Sequence, residues 1–87
     1  MKIVLAEFGH VWVGRVSRGQ DTLRITDAAC VRRWGTKYGL GEIALGGPNG
    51  DTMLDEIGSM DVELSRVIAT IDCNEARWRR VEGRWTA

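Results

Sequence analysis

Proline, cysteine and histidine are scarce in this chain: one proline, two cysteines and one histidine among 87 residues. The lone His10 lies far along the chain from Cys30 and Cys73, so no zinc-type ligand spacing is present. It also has no serine or cysteine at a spacing that suggests a nucleophilic pair, and a histidine at a strand turn is read as structural. Cys30 and Cys73 sit among apolar, strand-like residues, 28–31 and 67–71, where each fits as a small buried hydrophobe. In a reducing compartment a disulfide between them is not expected. Net charge is lacking too, because twelve basic residues are balanced by twelve acidic ones and the sequence pI is about 6.6. That balance argues against a protein held on DNA or RNA by a general basic field. No long hydrophobic run occurs: Ile3 to Ala6 is stopped by Glu7, far short of a signal-peptide core or a membrane span. The expectation is a cytoplasmic protein with no membrane partner. The length sets a single domain, 1–87. A chain of this size buries only roughly 60–65% of its unfolded surface, so self-association is expected to help it.

Arginine, tryptophan and glycine are present in excess. Ten arginines stand against two lysines. The arginine fork suits phosphate and carboxylate and stacks on aromatic rings, although a GC-rich genome gives the same bias with no function attached. Of the four tryptophans, Trp12 lies in a strand pattern and reads as core. Trp34, Trp78 and Trp85 adjoin arginine or glycine and read as surface platforms. Seven of the eleven glycines and the only proline fall between Gly35 and Ser59.

The apolar patterning predicts a first strand over 2–8 and a second over 11–18, with Gly14 marking a bulge or bend inside it. A turn at 17–21 leads to a third strand over 22–34, whose later half, around Ala28 to Cys30, also admits a helical turn. The glycine-rich segment 35–59 reads as an insertion that adds little to the core and is either functional or unordered. Strands resume over 61–73, and their phase slips at Leu64-Ser65-Arg66, as a single tight turn requires. Asn74 is expected to cap a short C-terminal helix within 74–83, stopped by Gly83, and the tail from Arg84 to Ala87 to be frayed.

Two resemblances are carried by these segments. Val13-Gly14-Arg15-Val16, followed by Thr26-Asp27-Ala28 and by the one-turn link between the last two strands, resembles the Sm-like family. It implies a small five-stranded SH3-like barrel, here mainly β with a glycine-rich insertion and a short C-terminal helix, and it implies edge-to-edge homo-oligomers, a ring among them. The loop aspartate-asparagine pair and the arginine-glycine motif of that family's RNA site do not stand here, and Leu64-Ser65-Arg66 occupies the place of the latter. The central run, Arg32-Arg33-Trp34-Gly35-Thr36 with Gly39 to Leu45 and Gly47-Pro48, resembles small phage and prophage proteins over the whole chain. That likeness implies a host-cytoplasm setting and an anti-defence role, either by blocking a host protein or by sequestering a nucleotide signal.

Gly39-Leu40-Gly41-Glu42-Ile43-Ala44 matches a G-x-G-x-x-A string, but a dinucleotide fold needs it inside a βαβ unit for which this chain is too short. A turn into a short helix over 40–45, its free N–H groups facing an anion, competes with a glycine-rich lid that only packs. Arg32, Arg33 and Lys37, with the amides around Gly35 and Thr36, form the densest anion-binding chemistry, and Trp34 or Tyr38 could stack a base. The alternative is a solvated strand end whose arginines pair with Glu42, Asp55 or Glu56. Asp51, Asp55, Glu56 and Asp61 lack calcium-loop order. The expected site therefore comprises Arg32, Arg33, Trp34, Gly35, Thr36, Lys37, Tyr38, Gly39, Gly41, Gly47 and Thr52. Its ligand is a small nucleotide-type anion; no catalytic residue, metal or cofactor is expected. The rival readings are an inhibitor that binds a host protein through 77–85, and an Sm-like RNA module.

Overall fold

Apolar residues on both sides of one short segment decide the architecture. In Lys2–Ala6 (β1), Ile3, Val4 and Ala6 are all buried, so this strand needs partners at both edges and cover on both faces. A computed structural model describes all residues, 1–87, and gives β1 that place. It lies between β2 (His10–Arg18) and the later β5 (Val67–Asp72), antiparallel to both. Outward from β2 come β3 (Thr22–Arg33) and β4 (Met53–Glu63), giving one five-stranded antiparallel sheet in the order β4-β3-β2-β1-β5.

The expected barrel is not closed. Strands β4 and β5 are joined by one 3-10 turn, Leu64–Arg66, as the phase slip predicted, but they do not pair and remain the two edges of the sheet. The sheet nevertheless curls. Val62 of β4 and Val67 of β5, from opposite edges, share one apolar cluster with Val4, Ala6, Leu23, Ile25 and Ala28, with Trp12 packed half-buried against it. Trp12 is thus a flank of this cluster rather than its centre, contrary to its expected core place.

The bend at Gly14 has a direct steric cause. A Cβ there would lie 2.5 Å from Ile25 Cγ2 and 2.8 Å from the Thr26 carbonyl oxygen. Opposite it, Asp27 takes a left-handed φ of 49°, and the register slips between Val13/Arg15 and Thr26/Ala29. The extra residue switches the buried side of β3: Leu23 and Ile25 face the curled cluster, whereas Ala29 and Val31 face the other side. The strand then continues to Arg33, so the helical turn around Ala28 to Cys30 is excluded.

The second face is covered by elements that the sequence placed elsewhere. The 35–59 segment is not wholly an insertion, because β4 already begins at Met53. Within it, Leu40–Gly46 (α1) forms the short helix expected over 40–45, and its Leu40, Ile43 and Ala44 are buried in the core instead of standing apart from it. The C-terminal helix over 74–83 is replaced. Asn74 caps only a single 3-10 turn, Glu75–Arg77, by accepting from the Ala76 amide. A hairpin follows, of β6 (Arg79–Val81) and β7 (Arg84–Thr86). Its two-residue loop, Glu82 (φ 52°) and Gly83 (φ 75°), supplies the paired left-handed conformations that such turns demand. The residues near the C-terminus are therefore not a frayed tail.

Trp78 and Trp85, expected as surface platforms, are 4% and 6% exposed and fill the core against Ile3, Val11, Val13, Ala29, Val31 and α1. Their rings meet edge to face at 6.2 Å, an arrangement that aromatic quadrupoles favour. Each indole N–H is satisfied, Trp78 donating to the Ile43 carbonyl (3.0 Å) and Trp85 to that of Asp27 (2.6 Å). Arg80 and Arg15 stack on the Trp85 ring at 4.8 and 5.5 Å. Arg80 also donates to both oxygens of Glu56, which accepts from the Trp85 amide as well. The hairpin is thus pinned to β3 and β4 by a half-buried network whose polar groups all find partners.

Candidate functional site

The glycine-rich loop starts where β3 ends and returns to β4 beside its own beginning. Thr52 Oγ donates to the Trp34 carbonyl (2.8 Å) and accepts from the Asn49 amide (3.0 Å), while Asn49 Nδ2 donates to the Gly35 carbonyl (2.8 Å). The Asn49 side chain also accepts from the Asp51 amide at 2.7 Å, a local turn that asparagine forms readily. Gly35 is required at this crossing: its φ is +68°, and a Cβ would lie 2.3 Å from the Asp51 carbonyl carbon. Of the expected set, Trp34, Gly35 and Thr52 are therefore joined directly, and the loop is braced at its base.

Toward α1, the Thr36 hydroxyl accepts from the Gly39 amide (3.1 Å) and the Glu42 carboxylate from the Tyr38 amide (3.3 Å). These bonds take up the two amides, Tyr38 and Gly39, that lie between the Gly35–Thr36 amides and the helix N–H groups expected to face an anion. Gly39 has φ +89° and open space around it, whereas Gly41 sits inside the helix with nothing within 4 Å of a Cβ. Gly47 is buried at the far end of the helix, where its amide donates to the Ile43 carbonyl and its missing side chain admits the Arg77 carbonyl. It stands apart from the loop base and serves packing between α1 and the C-terminal segment.

The cations divide into engaged and free. Arg32 forms an ion pair with Asp55 across β3 and β4 at 2.9 Å, one of the pairings held open as the alternative. Glu56, the other acid considered in β4, is held by Arg80 instead. Arg33 and Lys37 make no ion pair; the Lys37 ammonium lies 5.5 Å from the Tyr38 ring centre. Trp34 is 41% exposed and Tyr38 77% exposed, so the aromatic residue that follows each of these cations in the chain meets solvent. Beside the end of the loop runs an open groove of about 460 Å³, walled by Asn49, Gly50 and Thr52 on one side and by Arg84 to Ala87 on the other. Arg84 has no carboxylate partner and was not among the expected residues. Only the folding of the C-terminal hairpin beside the loop brings it there, and no spacing in the sequence signals that approach.

Other reactive groups lie outside this region. Both cysteines are free, and burial pushes the Cys73 thiol up to about 11, which keeps it protonated near neutral pH. The Lys2 ammonium, bonded to Asp72, holds that carboxyl below its ordinary value. His10 is exposed and lies 5.3 Å from the Trp12 ring. No group of histidine, cysteine and acidic side chains is arranged to hold a metal ion. No helix is long and apolar enough to cross a membrane. The chain matches no family model, no curated protein and no solved structure.

Proposed function

We propose that the protein is a non-enzymatic binder that sequesters a small nucleotide-type anion at the start of its glycine-rich loop, and that it serves a phage as an anti-defence protein in the host cytoplasm. One observation carries the binding role. Two cations without carboxylate partners, Arg33 and Lys37, each precede an exposed aromatic residue, Trp34 and Tyr38, on a loop whose base is held by hydrogen bonds. A base stacked on an indole and a phosphate met by an arginine fork use these side-chain types. The bracing lowers the ordering cost of binding. Neutral net charge does not oppose a ligand of this size, because the field that matters is local. The phage setting rests on the likeness of the central run to small phage proteins.

A thermal-shift screen of cyclic oligonucleotides and ADP-ribose derivatives tests the binding role. A ligand at one hundred times its Kd stabilises by about 2.7 kcal/mol, which raises the melting temperature clearly in a domain of this size. At least one member of the panel is expected to do so, and Arg33→Ala with Lys37→Ala to remove the effect. A flat response across the panel would count against the reading.

The same proposal includes self-association through the open edges of an SH3-like sheet related to the Sm-like arrangement. Strands β4 and β5 each present an unpaired edge, and Met53, Ile57 and Ile68 on them are exposed apolar residues. Arg33 is in register with Met53 at the β4 edge, so a copy added there would stand next to the start of the loop and place the site at a subunit junction. Sedimentation at micromolar concentration is expected to show an assembly, a ring being one closed form. A monodisperse monomer would contradict this part.

A further inference from the structure

The β6–β7 hairpin is two-faced by strict alternation. Trp78, Arg80 and Trp85 point inward, where they are buried or half-buried and bonded to Ile43, Glu56 and Asp27. The intervening residues Arg77, Arg79, Val81, Arg84 and Thr86 are all exposed. Register places Arg79 opposite Thr86 and Val81 opposite Arg84, so the two β-strand arginines stand diagonally on one surface, and Arg77, at the end of the preceding 3-10 turn, is exposed as well. None of Arg77, Arg79 and Arg84 forms an ion pair, whereas Arg15, Arg24, Arg32, Arg66 and Arg80 all do. Val81, in their midst, is 51% exposed.

We propose that this outward face docks an acidic segment of a partner protein. Charge complementarity defines the occupant. Grouped cations on a rigid support repel one another unless an external anion meets them, and arginine forks match carboxylates in pairs. The exposed valine gives an apolar contact that a protein chain can fill. A nucleic acid is disfavoured because the neutral molecule supplies no long-range field toward a phosphodiester backbone. Since the inward side chains fix the hairpin to the core, the face is preformed and little ordering is needed on binding. Arg84 and Thr86 of this face also wall the groove beside the loop, whereas Arg77 and Arg79 do not line it.

The test is fluorescence anisotropy of the full-length protein with a labelled synthetic peptide alternating glutamate and valine, alongside a single-stranded RNA of equal charge. The peptide is expected to bind in a salt-sensitive way, and Arg77→Ala with Arg79→Ala to weaken it about tenfold, the change that ~1.4 kcal/mol makes. The melting temperature should not move, as neither side chain holds the fold, and Arg33→Ala should leave peptide binding intact. Failure of the peptide to bind, equal binding by the double variant, or tighter RNA binding that the same substitutions abolish would each overturn the proposal.

Discussion

Trp78→Ala is expected to destabilise the protein by about 3–5 kcal/mol, the range found when a buried large aromatic is truncated. The indole is 4% exposed, contacts Trp85 edge to face, and carries the one side-chain hydrogen bond from the C-terminal segment to α1, at the Ile43 carbonyl. Its loss leaves a cavity between the sheet, the helix and the hairpin, and the Ile43 carbonyl keeps only its bond from the Gly47 amide. Domains of this size hold roughly 5–15 kcal/mol in total. Each kcal/mol moves the melting temperature by roughly 4–8 °C, so the fall should reach tens of degrees. Trp78→Phe keeps most of the apolar volume and sheds the hydrogen bond, a smaller loss in which the bond itself counts for about 1 kcal/mol. Calorimetry or circular dichroism reads both. A Trp78→Ala protein melting within a few degrees of the parent would mean that the indole is the surface platform its arginine neighbours suggest, and not a core residue.

The second large effect is expected at Gly47. Its φ of 83° and ψ of 172° fall in a region that is essentially glycine-only and costs other residues about 1–3 kcal/mol. A Cβ would also stand 2.2 Å from the Arg77 carbonyl oxygen, so alanine forces the C-terminal segment away from α1 and adds to that cost. Gly41→Ala is the matched control. That glycine lies within α1 with free space around it, and alanine there should stabilise the fold by up to about 1 kcal/mol through helix propensity. Urea denaturation of the two variants separates the readings. Opposite signs support a helix end locked against Arg77, whereas equal effects would show that the glycines act only through chain flexibility.

Legibility in the sequence followed the locality of the cause. The first three strands, the bend at Gly14 and the one-turn link at Leu64 to Arg66 are set by alternation and by single turns, which neighbouring residues report. The short helix after Gly39 was legible for the same reason. The C-terminal hairpin was not. Asn74 and the charged run from Glu75 to Glu82 satisfy helix rules, yet burying Trp78 and Trp85 together requires alternation, and the tertiary demand prevailed over propensity. Its marker was present in the spacing of Trp78 and Arg80 and in Glu82-Gly83, a substitute for the usual Asn-Gly turn. Arginine neighbours misled in both tryptophans because Arg77, Arg79 and Arg84 are themselves exposed while the indoles beside them are buried. At the candidate site, the residue types at the start of the loop were legible. Which arginine was already neutralised was not, since the pairing of Arg32 with Asp55 depends on the register of β3 against β4.

The central claim is that the start of the glycine-rich loop binds a nucleotide-type anion. Backbone and indole amide NMR of the isotope-labelled full chain, titrated with a cyclic dinucleotide and separately with ADP-ribose, addresses it residue by residue. The account predicts saturable shifts for at least one ligand, centred on the Arg32 to Thr52 amides and the Trp34 indole, and lost when Arg33 and Lys37 are replaced by alanine. Spectra unchanged by either ligand, or shifts confined to other parts of the molecule while the loop stays silent, would contradict it.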